Sequence, residues 1–470
     1  MEQRASIPPG LPRDNPTVSY WQDLPSPLST HRTTSTLPAS ADILIIGSGI
    51  TGAFIAYNLL SRPSPPKVLL LEARTACSGA TGRNGGHTKH ASYLSFLDNC
   101  RTLGEEEAAK IVRFEYKCMK AMHAFARDQG IECDSWEGDT VDIFYDENKW
   151  RMAHEAVGQM KTILGEKDPV ASYTFWCADE AKERFLTEGA FGAVTYEAGS
   201  MSGYKLVTGI LKLVINRGLN LQTNTPATEI SKSERGWVVE THRGSVEAGR
   251  VVLATNGYTA NLYPPLQGIL VPLRGHVTAQ RPGSNMPKDG LATTYSFIYE
   301  DGYEYMISRP QGSKFAGDLI IGGGLTKAAE EGLYEYGTTD DTTMDSTTIS
   351  YLRESTLCYF GTNWGKDDAE GRIRHQWSGC MGFSADGFPL IGEIPEEKDL
   401  FMAASFQGHG MVLCLLSAKA LVEIMDGENK TDTSQWLPKA FRMSGERMKN
   451  KFQERLHTKV SRDLEIESQS

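Results

Sequence analysis

A glycine-rich turn restricts the possible folds of this chain more than any other feature of its sequence. The motif Gly47-Ser-Gly49-Ile-Thr-Gly52 follows Asp42-Ile-Leu-Ile-Ile46, an apolar run typical of a strand buried on both faces of a parallel sheet. Helix-like sequence begins at Ile50 and ends before a group of prolines. A second apolar run, Lys67-Val-Leu-Leu-Leu-Glu72, completes a β-α-β unit of the Rossmann type.

The three glycines and the acidic residue indicate a site for an adenine dinucleotide. Gly47, Gly49 and Gly52 permit a tight turn, close approach of the backbone around Ser48 to a pyrophosphate, and packing of helix on strand. Glu72 ends the second strand, where its carboxylate would accept hydrogen bonds from ribose hydroxyls and disfavour a 2′-phosphate. This fingerprint alone does not separate NAD from FAD.

Length and charge narrow the classes of partner. A chain of 470 residues with 40% hydrophobic residues is expected to form two or three structural units. Its formal net charge of −11 repels polyanions, so we expect no nucleic-acid partner. The eight cysteines form no C-x-x-C pair, and no zinc-ligand spacing or metal site is predicted. With neither a signal peptide nor a long apolar run, we expect a cytoplasmic protein without a membrane span.

The periodicity of the remaining sequence predicts a mixture of helices and short strands. Residues 1–40 are rich in Pro, Ser and Thr and are predicted to form an irregular arm in which Tyr20 and Trp21 are candidates for burial. Helices are predicted at 105–129, 205–217 and 411–425, and strands at 219–222, 227–230, 237–241, 250–255, 295–307, 319–322 and 400–404.

The segment that follows Glu72 is dense in glycine and small polar residues. It reads Ala73-Arg74-Thr-Ala-Cys77-Ser78-Gly79-Ala80-Thr81-Gly82-Arg83-Asn84-Gly85-Gly86-His87. Such a stretch can follow an extended cofactor and donate backbone N–H groups to its oxygens. The alternative interpretation is a flexible surface loop.

These motifs resemble the FAD-dependent amine and amino-acid oxidoreductases related to D-amino-acid oxidase, glycine oxidase and sarcosine oxidase. The run SGATGRNGGH is especially similar to the γ-glutamylputrescine oxidase branch. The resemblance selects FAD over NAD and implies that the loop passes along the pyrophosphate, ribityl chain and flavin edge. The cofactor contacts that it implies in this loop are Ala73, Arg74, Ser78, Arg83, Asn84, Gly85, Gly86 and His87.

Further motifs of the resemblance occur in the family's order along the chain. The stretch that contains Ala227 resembles the family's strand at the adenine, and Ala254-Thr-Asn-Gly257 resembles its turn beside the cofactor. The loops that contain Cys380 and Gly408-His409-Gly410-Met411 resemble the pair that holds the isoalloxazine. The second loop precedes a predicted helix, whose N–H groups would stabilise negative charge on a reduced flavin.

The resemblance implies an α/β (α+β overall) fold in which a Rossmann-type FAD-binding domain is interleaved with an antiparallel-sheet substrate domain. The predicted FAD-binding segments are 41–92, 201–258 and 376–428, and the predicted substrate-domain segments are 93–200 and 259–375. Residues 429–470 are predicted to form a C-terminal extension.

The implied reaction is oxidation of a C–N bond in a small amine or amino acid. A hydride would pass to flavin N5, and the resulting imine would hydrolyse. Oxygen is the expected electron acceptor, but Ile320 stands where the sarcosine-oxidase branch has an oxygen-assisting lysine. A dehydrogenase with another acceptor, a non-catalytic flavoprotein and a nicotinamide-only dehydrogenase therefore remain as alternatives.

The candidate substrate contacts are Tyr303, which shares a strand face with two other tyrosines, and Arg274 and Arg309, either of which would clamp a carboxylate. The alternative is that these tyrosines pack a sheet and the arginines form ion pairs. The resemblance also makes Cys380 a candidate for a thioether bond to the flavin, with His87 and His90 as rivals.

Overall fold

The computed structural model describes residues 1–90, 92–427 and 432–453. Within these ranges the chain forms seventeen strands and eleven α-helices. The strands are β1 (Ser40–Ile46), β2 (Val68–Leu71), β3 (His87–Thr88), β4 (Trp136–Phe144), β5 (Thr174–Cys177), β6 (Gly192–Ser200), β7 (Asn220–Gln222), β8 (Ala227–Ser233), β9 (Gly236–Thr241), β10 (Gly244–Leu253), β11 (Leu270–Gln280), β12 (Thr294–Tyr299), β13 (Gly302–Ser308), β14 (Leu319–Gly323), β15 (Ile373–Ser384), β16 (Leu390–Glu393) and β17 (Leu400–Ala404). The helices are α1 (Glu2–Ala5), α2 (Ile50–Leu60), α3 (Phe96–Leu103), α4 (Glu105–Asp128), α5 (Glu147–Leu164), α6 (Ala178–Phe185), α7 (Gly203–Ile215), α8 (Thr259–Leu262), α9 (Ala329–Gly332), α10 (Ser346–Phe360) and α11 (Cys414–Met425).

The first sheet has the strand order β16-β17-β10-β1-β2-β7, and β9 with β8 extends it from β10. The strands from β17 to β7 are parallel. Ile43 and Ile45 of β1 share a buried cluster with residues of α2, α7 and α11, whereas Leu44 and Ile46 belong to the cluster on the other face. The strand is therefore buried on both faces, as its continuous apolar sequence predicts.

The second sheet has the order β15-β11-β14-β13-β12-β4-β6-β3, with β5 on β6. Its strands are antiparallel except where β12 pairs with β4. Side chains of α10 pack with Tyr295 and Phe297 of β12 on one face of this sheet. These two sheets confirm the predicted combination of a Rossmann-type sheet with an antiparallel one.

Two strands that fall within the predicted FAD-binding segments belong to the second sheet. His87–Thr88 falls within predicted FAD segment 41–92 and most of β15 within segment 376–428, yet both belong to the second sheet. The reason is that the chain crosses from the first sheet to the second just before β3, and returns to the first sheet just after β15. Of the predicted C-terminal extension, residues 432–453 belong to the described ranges and the rest lies outside the described residues.

The N-terminal arm packs against the glycine-rich segment. It contains one turn of helix, α1, and a 3₁₀ turn at Tyr20–Gln22 in which Tyr20 and Trp21 are buried. The Trp21 indole donates a hydrogen bond to the Asn84 carbonyl at 2.5 Å, and the Ser19 hydroxyl donates to the Gly82 carbonyl at 2.7 Å. In the described ranges, no helix is both long enough and apolar enough to cross a bilayer.

Candidate functional site

The turn between β1 and α2 requires glycine at two positions. Gly47 has a φ of +107°, and a side-chain carbon there would lie 2.6 Å from the Ala254 carbonyl oxygen. A Cβ at Gly52 would lie 1.9 Å from the Gly47 carbonyl oxygen, which is well inside van der Waals contact. These close approaches hold the start of α2 against the end of β1, where the helix dipole favours an anion.

Glu72 is fixed at the end of β2, beside this turn. Its carboxylate accepts hydrogen bonds from the Ser48 N–H at 3.0 Å, from the Ser48 hydroxyl at 2.6 Å and from the Arg74 N–H at 3.1 Å. Glu72 remains partly exposed, so a ribose hydroxyl can reach it. The Thr225 N–H donates to the Glu72 carbonyl, which brings the start of β8, with Ala227, close to this end of the sheet.

Both arginines of the glycine-rich segment pair with one buried carboxylate. Arg74 donates to the two oxygens of Asp341 at 3.0 and 2.8 Å, and Arg83 Nε lies 3.7 Å from Asp341. Arg83 also donates to the carbonyls of Ser378 and Thr17. These bonds hold both side chains in place, and Arg74 Nε has no hydrogen-bond partner among the described residues. Contact of Arg74 and Arg83 with the cofactor stays a prediction.

The following part of the segment is held against the second sheet. The Asn84 side chain accepts a hydrogen bond from the Gly86 N–H at 2.8 Å. A Cβ at Gly85 would lie 2.2 Å from the Tyr305 ring, and one at Gly86 would meet Ile307 at 3.0 Å. Only a glycine backbone can lie this close to β13.

The residues at this edge of the first sheet fit an extended dinucleotide. Ser78 is buried, and its hydroxyl has no hydrogen-bond partner in the described part of the chain. An orphaned buried hydroxyl on the glycine-rich segment is a natural donor to a cofactor oxygen. The glycine turn supplies a helix N-terminus for the pyrophosphate. The partly exposed carboxylate of Glu72 supplies an acceptor for the ribose, and the Ser78 hydroxyl supplies a polar donor on the same side.

The loop before α11 contains the other predicted flavin contacts. Gly408 lies beside Met381, whose sulfur would be 3.5 Å from a Cβ at position 408. The Met411 sulfur approaches Gly203 at the start of α7, next to Asn84. A 3₁₀ turn at Gly410–Val412 separates this loop from α11. The loop before α11 therefore comes close to the glycine-rich segment at Asn84, near the start of α7.

His87 and His409 lie close enough to interact electrostatically, and so do Tyr303 and Tyr305 of β13. We call the region beside these four side chains the cleft. Tyr303 leaves 49% of its surface open, although the surrounding protein raises the pKa of its hydroxyl by desolvation. Desolvation also lowers the pKa of His409 to about 4 and that of His87 well below its usual value. The positive charge of Lys89 adds to both depressions, so the two imidazoles are neutral near pH 7.

The two arginines predicted to clamp a substrate carboxylate each have a carboxylate partner within the protein. Arg274 forms a bidentate pair with the buried Glu335, at 2.6 and 3.0 Å. Arg309 is buried over the rings of Tyr20 and Trp21 and donates to Asp134 at 2.7 Å. Arg309 Nε and Nη1 have no hydrogen-bond partner among the described residues, and the substrate-clamp role of both arginines stays a prediction.

Cys380 points away from the cleft. It pairs with Arg274 across β15 and β11, on the opposite strand face from Met381, which lies beside Gly408. Burial raises the pKa of the Cys380 thiol to about 12, and the nearby Asp341 carboxylate adds to this effect. A protonated thiol is a poor nucleophile, and a thioether bond from Cys380 to the flavin stays a prediction. His90 is buried between tyrosine rings instead.

The sequence analysis did not identify Lys89, whose positive charge acts on His87 and His409 in the cleft. Lys89 forms a buried ion pair with Asp142 of β4 and donates to the Ser296 hydroxyl of β12 at 2.6 Å. The available signal was its position two residues after His87, at the end of the glycine-rich segment. Its partners lie far along the chain, so the sequence offered no way to identify them.

The chain is similar to known proteins over most of its length. Residues 42–424 match the family model described as FAD dependent oxidoreductase (DAO). The probable oxidoreductase OrdL of Rhizobium meliloti (strain 1021) is 25% identical over 390 residues, covering 83% of this chain and 84% of that protein. The crystal structure of glycine oxidase from Geobacillus kaustophilus superposes with a TM-score of 0.68 at 20% identity, covering 85% of this chain and 99% of that one. L-proline dehydrogenase from P. horikoshii superposes with a TM-score of 0.64 at 19% identity, covering 86% and 98%.

Proposed function

Because the chain belongs to the DAO family of FAD-dependent oxidoreductases, we propose that it oxidises the C–N bond of a small amine or amino acid. The observation that supports this proposal is the edge of the first sheet, where the glycine turn, the partly exposed Glu72 and the unpartnered Ser78 hydroxyl suit an extended dinucleotide. Similarity to a glycine oxidase and an L-proline dehydrogenase supports the substrate class.

FAD, when bound, supplies an acceptor for two electrons at flavin N5. The chain would hold its pyrophosphate at the N-terminus of α2 and its ribose at Glu72. Gly85 and Gly86 would allow the backbone to follow the cofactor closely in front of β13.

The residues around the cleft suit an amine in its neutral form. The imidazoles of His87 and His409 are uncharged near pH 7 because desolvation depresses their pKa values. Their depressed pKa values make these imidazoles weak bases, so they would bind the substrate nitrogen by hydrogen bonds, and the amine would lose its proton before it binds. The exposed Tyr303 of β13 would orient the substrate through a hydrogen bond from its hydroxyl.

We take oxygen as the electron acceptor, with a non-oxygen acceptor as the second candidate. The second candidate is favoured by Ile320 of β14, which is fully buried and apolar where the resemblance implies a lysine. A cation near the flavin favours reduction of oxygen, and an isoleucine supplies none.

Anaerobic spectroscopy of the purified holoenzyme tests the proposal. We expect at least one member of a panel of amines and amino acids to bleach the flavin absorbance band. Failure of every member would favour the alternative of a non-catalytic flavoprotein. With a bleaching substrate in hand, oxygen consumption and peroxide release would identify an oxidase, whereas turnover only with a quinone or dye would identify a dehydrogenase.

A further inference from the structure

The N-terminal arm supplies hydrogen-bond donors to the backbone of the glycine-rich segment. The Gly82 carbonyl accepts from the Ser19 hydroxyl at 2.7 Å and from the Gln22 side-chain amide at 2.8 Å. The Asn84 carbonyl accepts from the Trp21 indole N–H at 2.5 Å. Two carbonyls of the glycine-rich segment therefore have their partners in the arm.

A tryptophan of the second sheet holds the carbonyl between these two. Trp377 of β15 is fully buried, and its indole N–H donates to the Arg83 carbonyl at 2.7 Å. The three consecutive carbonyls of residues 82–84 thus all accept hydrogen bonds from side chains. None of these peptide groups can rotate without losing a partner, so distant side chains fix the backbone orientation of this stretch.

The Trp21 ring is itself held firmly. Only 7% of its surface is exposed, the Tyr20 ring meets it edge-on at 5.4 Å, and the Arg309 guanidinium lies 4.9 Å from its centroid. Arg309 in turn donates to Asp134 at 2.7 Å. On the side of the glycine-rich segment, a Cβ at Gly86 would lie 3.0 Å from the indole ring. The direction of the Trp21 N–H is therefore fixed.

The Trp21 hydrogen bond also determines where the Gly85 N–H points. The peptide bond between Asn84 and Gly85 is trans and planar, so its carbonyl oxygen and its N–H point in opposite directions. The Gly85 N–H therefore faces away from Trp21. Gly85 is buried, and its N–H donates to no acceptor among the described residues. A buried N–H without a partner is costly, so this one requires an acceptor that these residues do not supply.

We propose that Trp21 is a positioning residue for the cofactor: by holding the Asn84 carbonyl, it directs the Gly85 N–H at an acceptor atom of FAD. Trp21 precedes residues 42–424, which match the family model, so the arm completes a site that the matched part of the chain forms. The inference rests on FAD as the cofactor of the proposed function, and it is independent of the substrate and the electron acceptor.

A pair of matched variants tests the role of the indole N–H. Trp237 of β9 is 4% exposed, and its indole donates to the Lys398 carbonyl at 3.0 Å. Trp21→Phe and Trp237→Phe thus each remove one buried hydrogen bond from an indole to a backbone carbonyl. We expect similar decreases in the melting temperature of the two apoproteins. In a titration of apoprotein with FAD, only Trp21→Phe should bind more weakly, by about two- to tenfold, the effect of one hydrogen bond.

Amide hydrogen exchange, resolved to single residues by mass spectrometry, reports on Gly85 directly. We expect FAD to slow exchange of the Gly85 N–H in the wild-type protein, because the cofactor becomes its acceptor. At saturating FAD, Trp21→Phe should lose most of this protection, whereas Trp237→Phe should keep it. Benzothienylalanine at position 21 keeps the shape of the double ring without the N–H, and it replaces Trp21→Phe if that variant does not fold.

The outcomes separate this inference from the proposed reaction. If FAD does not protect the Gly85 N–H in the wild type, the positioning role of Trp21 is overturned. It is also overturned if the variants at position 21 bind FAD as tightly as Trp237→Phe does and keep the protection. Neither measurement involves turnover. A protein that shows the expected binding and exchange but whose flavin is bleached by no amine would refute the proposed function and leave the role of Trp21 standing.

Discussion

Replacing Asp341 by asparagine should destabilise the protein and weaken its hold on FAD. The Asp341 side chain is buried and pairs with Arg74 and Arg83, whose side chains are themselves 9% and 2% exposed. The Asp341→Asn variant leaves two buried guanidinium groups without their shared counter-ion. Removing one partner of a buried ion pair costs about 3–5 kcal/mol, because the remaining charge stays desolvated.

The expected change in melting temperature follows from this free energy and the size of the chain. The entropy of unfolding is about 2.1 cal/mol/K per residue, or about 1 kcal/mol/K for 470 residues that unfold together. The melting temperature of Asp341→Asn should therefore fall by about 3–5 °C. It can be measured through the rise in flavin fluorescence as FAD is released on heating.

A surface ion pair provides the matched control. Asp98 pairs with Arg101 three residues later on α3, and the two side chains are 34% and 57% exposed. Exposed pairs contribute about 0–1 kcal/mol, so Asp98→Asn should melt within about 1 °C of the wild type. If Asp341→Asn melts as Asp98→Asn does and retains FAD equally well, the Asp341 pair does not hold the glycine-rich segment.

Three further predictions concern the cofactor site. Gly52→Ala should weaken FAD binding at least about tenfold in a titration of apoprotein, because the added Cβ would overlap the Gly47 carbonyl. The control variant Gly158→Ala, whose Cβ would lie in open space on α5, should bind FAD as the wild type does. The pKa of His409, about 4, lies below the usual 6.5, so the unfolded chain takes up its proton first and stability should fall as pH drops from 6.5 to 4. The decline in melting temperature over this range should be smaller for His409→Asn, and an unchanged decline would refute the assignment. Acid precipitation should release the flavin from wild type and Cys380→Ala alike; a yellow pellet from the wild type alone would indicate a thioether bond.

Local patterns predicted the first sheet well because its strands and helix are defined by neighbouring residues. The apolar run before Gly47 is buried on both faces, and α2 spans Ile50–Leu60 as the periodicity and the prolines indicate. The helix predicted at 105–129 and the strand predicted at 400–404 also occur. Each of these elements carries its own signal in consecutive side chains.

The polar residues of the site were harder to predict because their partners lie far away in the chain. Arg74 and Asp341 are 267 residues apart, and Arg309 and Asp134 are 175 apart. Nothing near Arg309 in the sequence distinguishes a substrate clamp from a buried structural cation. Lys89 was missed for the same reason. Its ammonium group is held near the cleft by Asp142 and Ser296, which lie on two separate strands far along the chain.

The chain segment from Glu72 to β3 restricts how the two sheets can move relative to each other. It starts where β2 of the parallel sheet ends, and it finishes as a strand hydrogen-bonded to β6 of the antiparallel sheet. A rigid rotation of one sheet relative to the other would stretch or compress this connection and displace Gly85 and Gly86 from β13. Admission of substrate should therefore rely on small local rearrangements at the rim of the cleft, with the two halves of the molecule keeping their mutual orientation through each catalytic cycle.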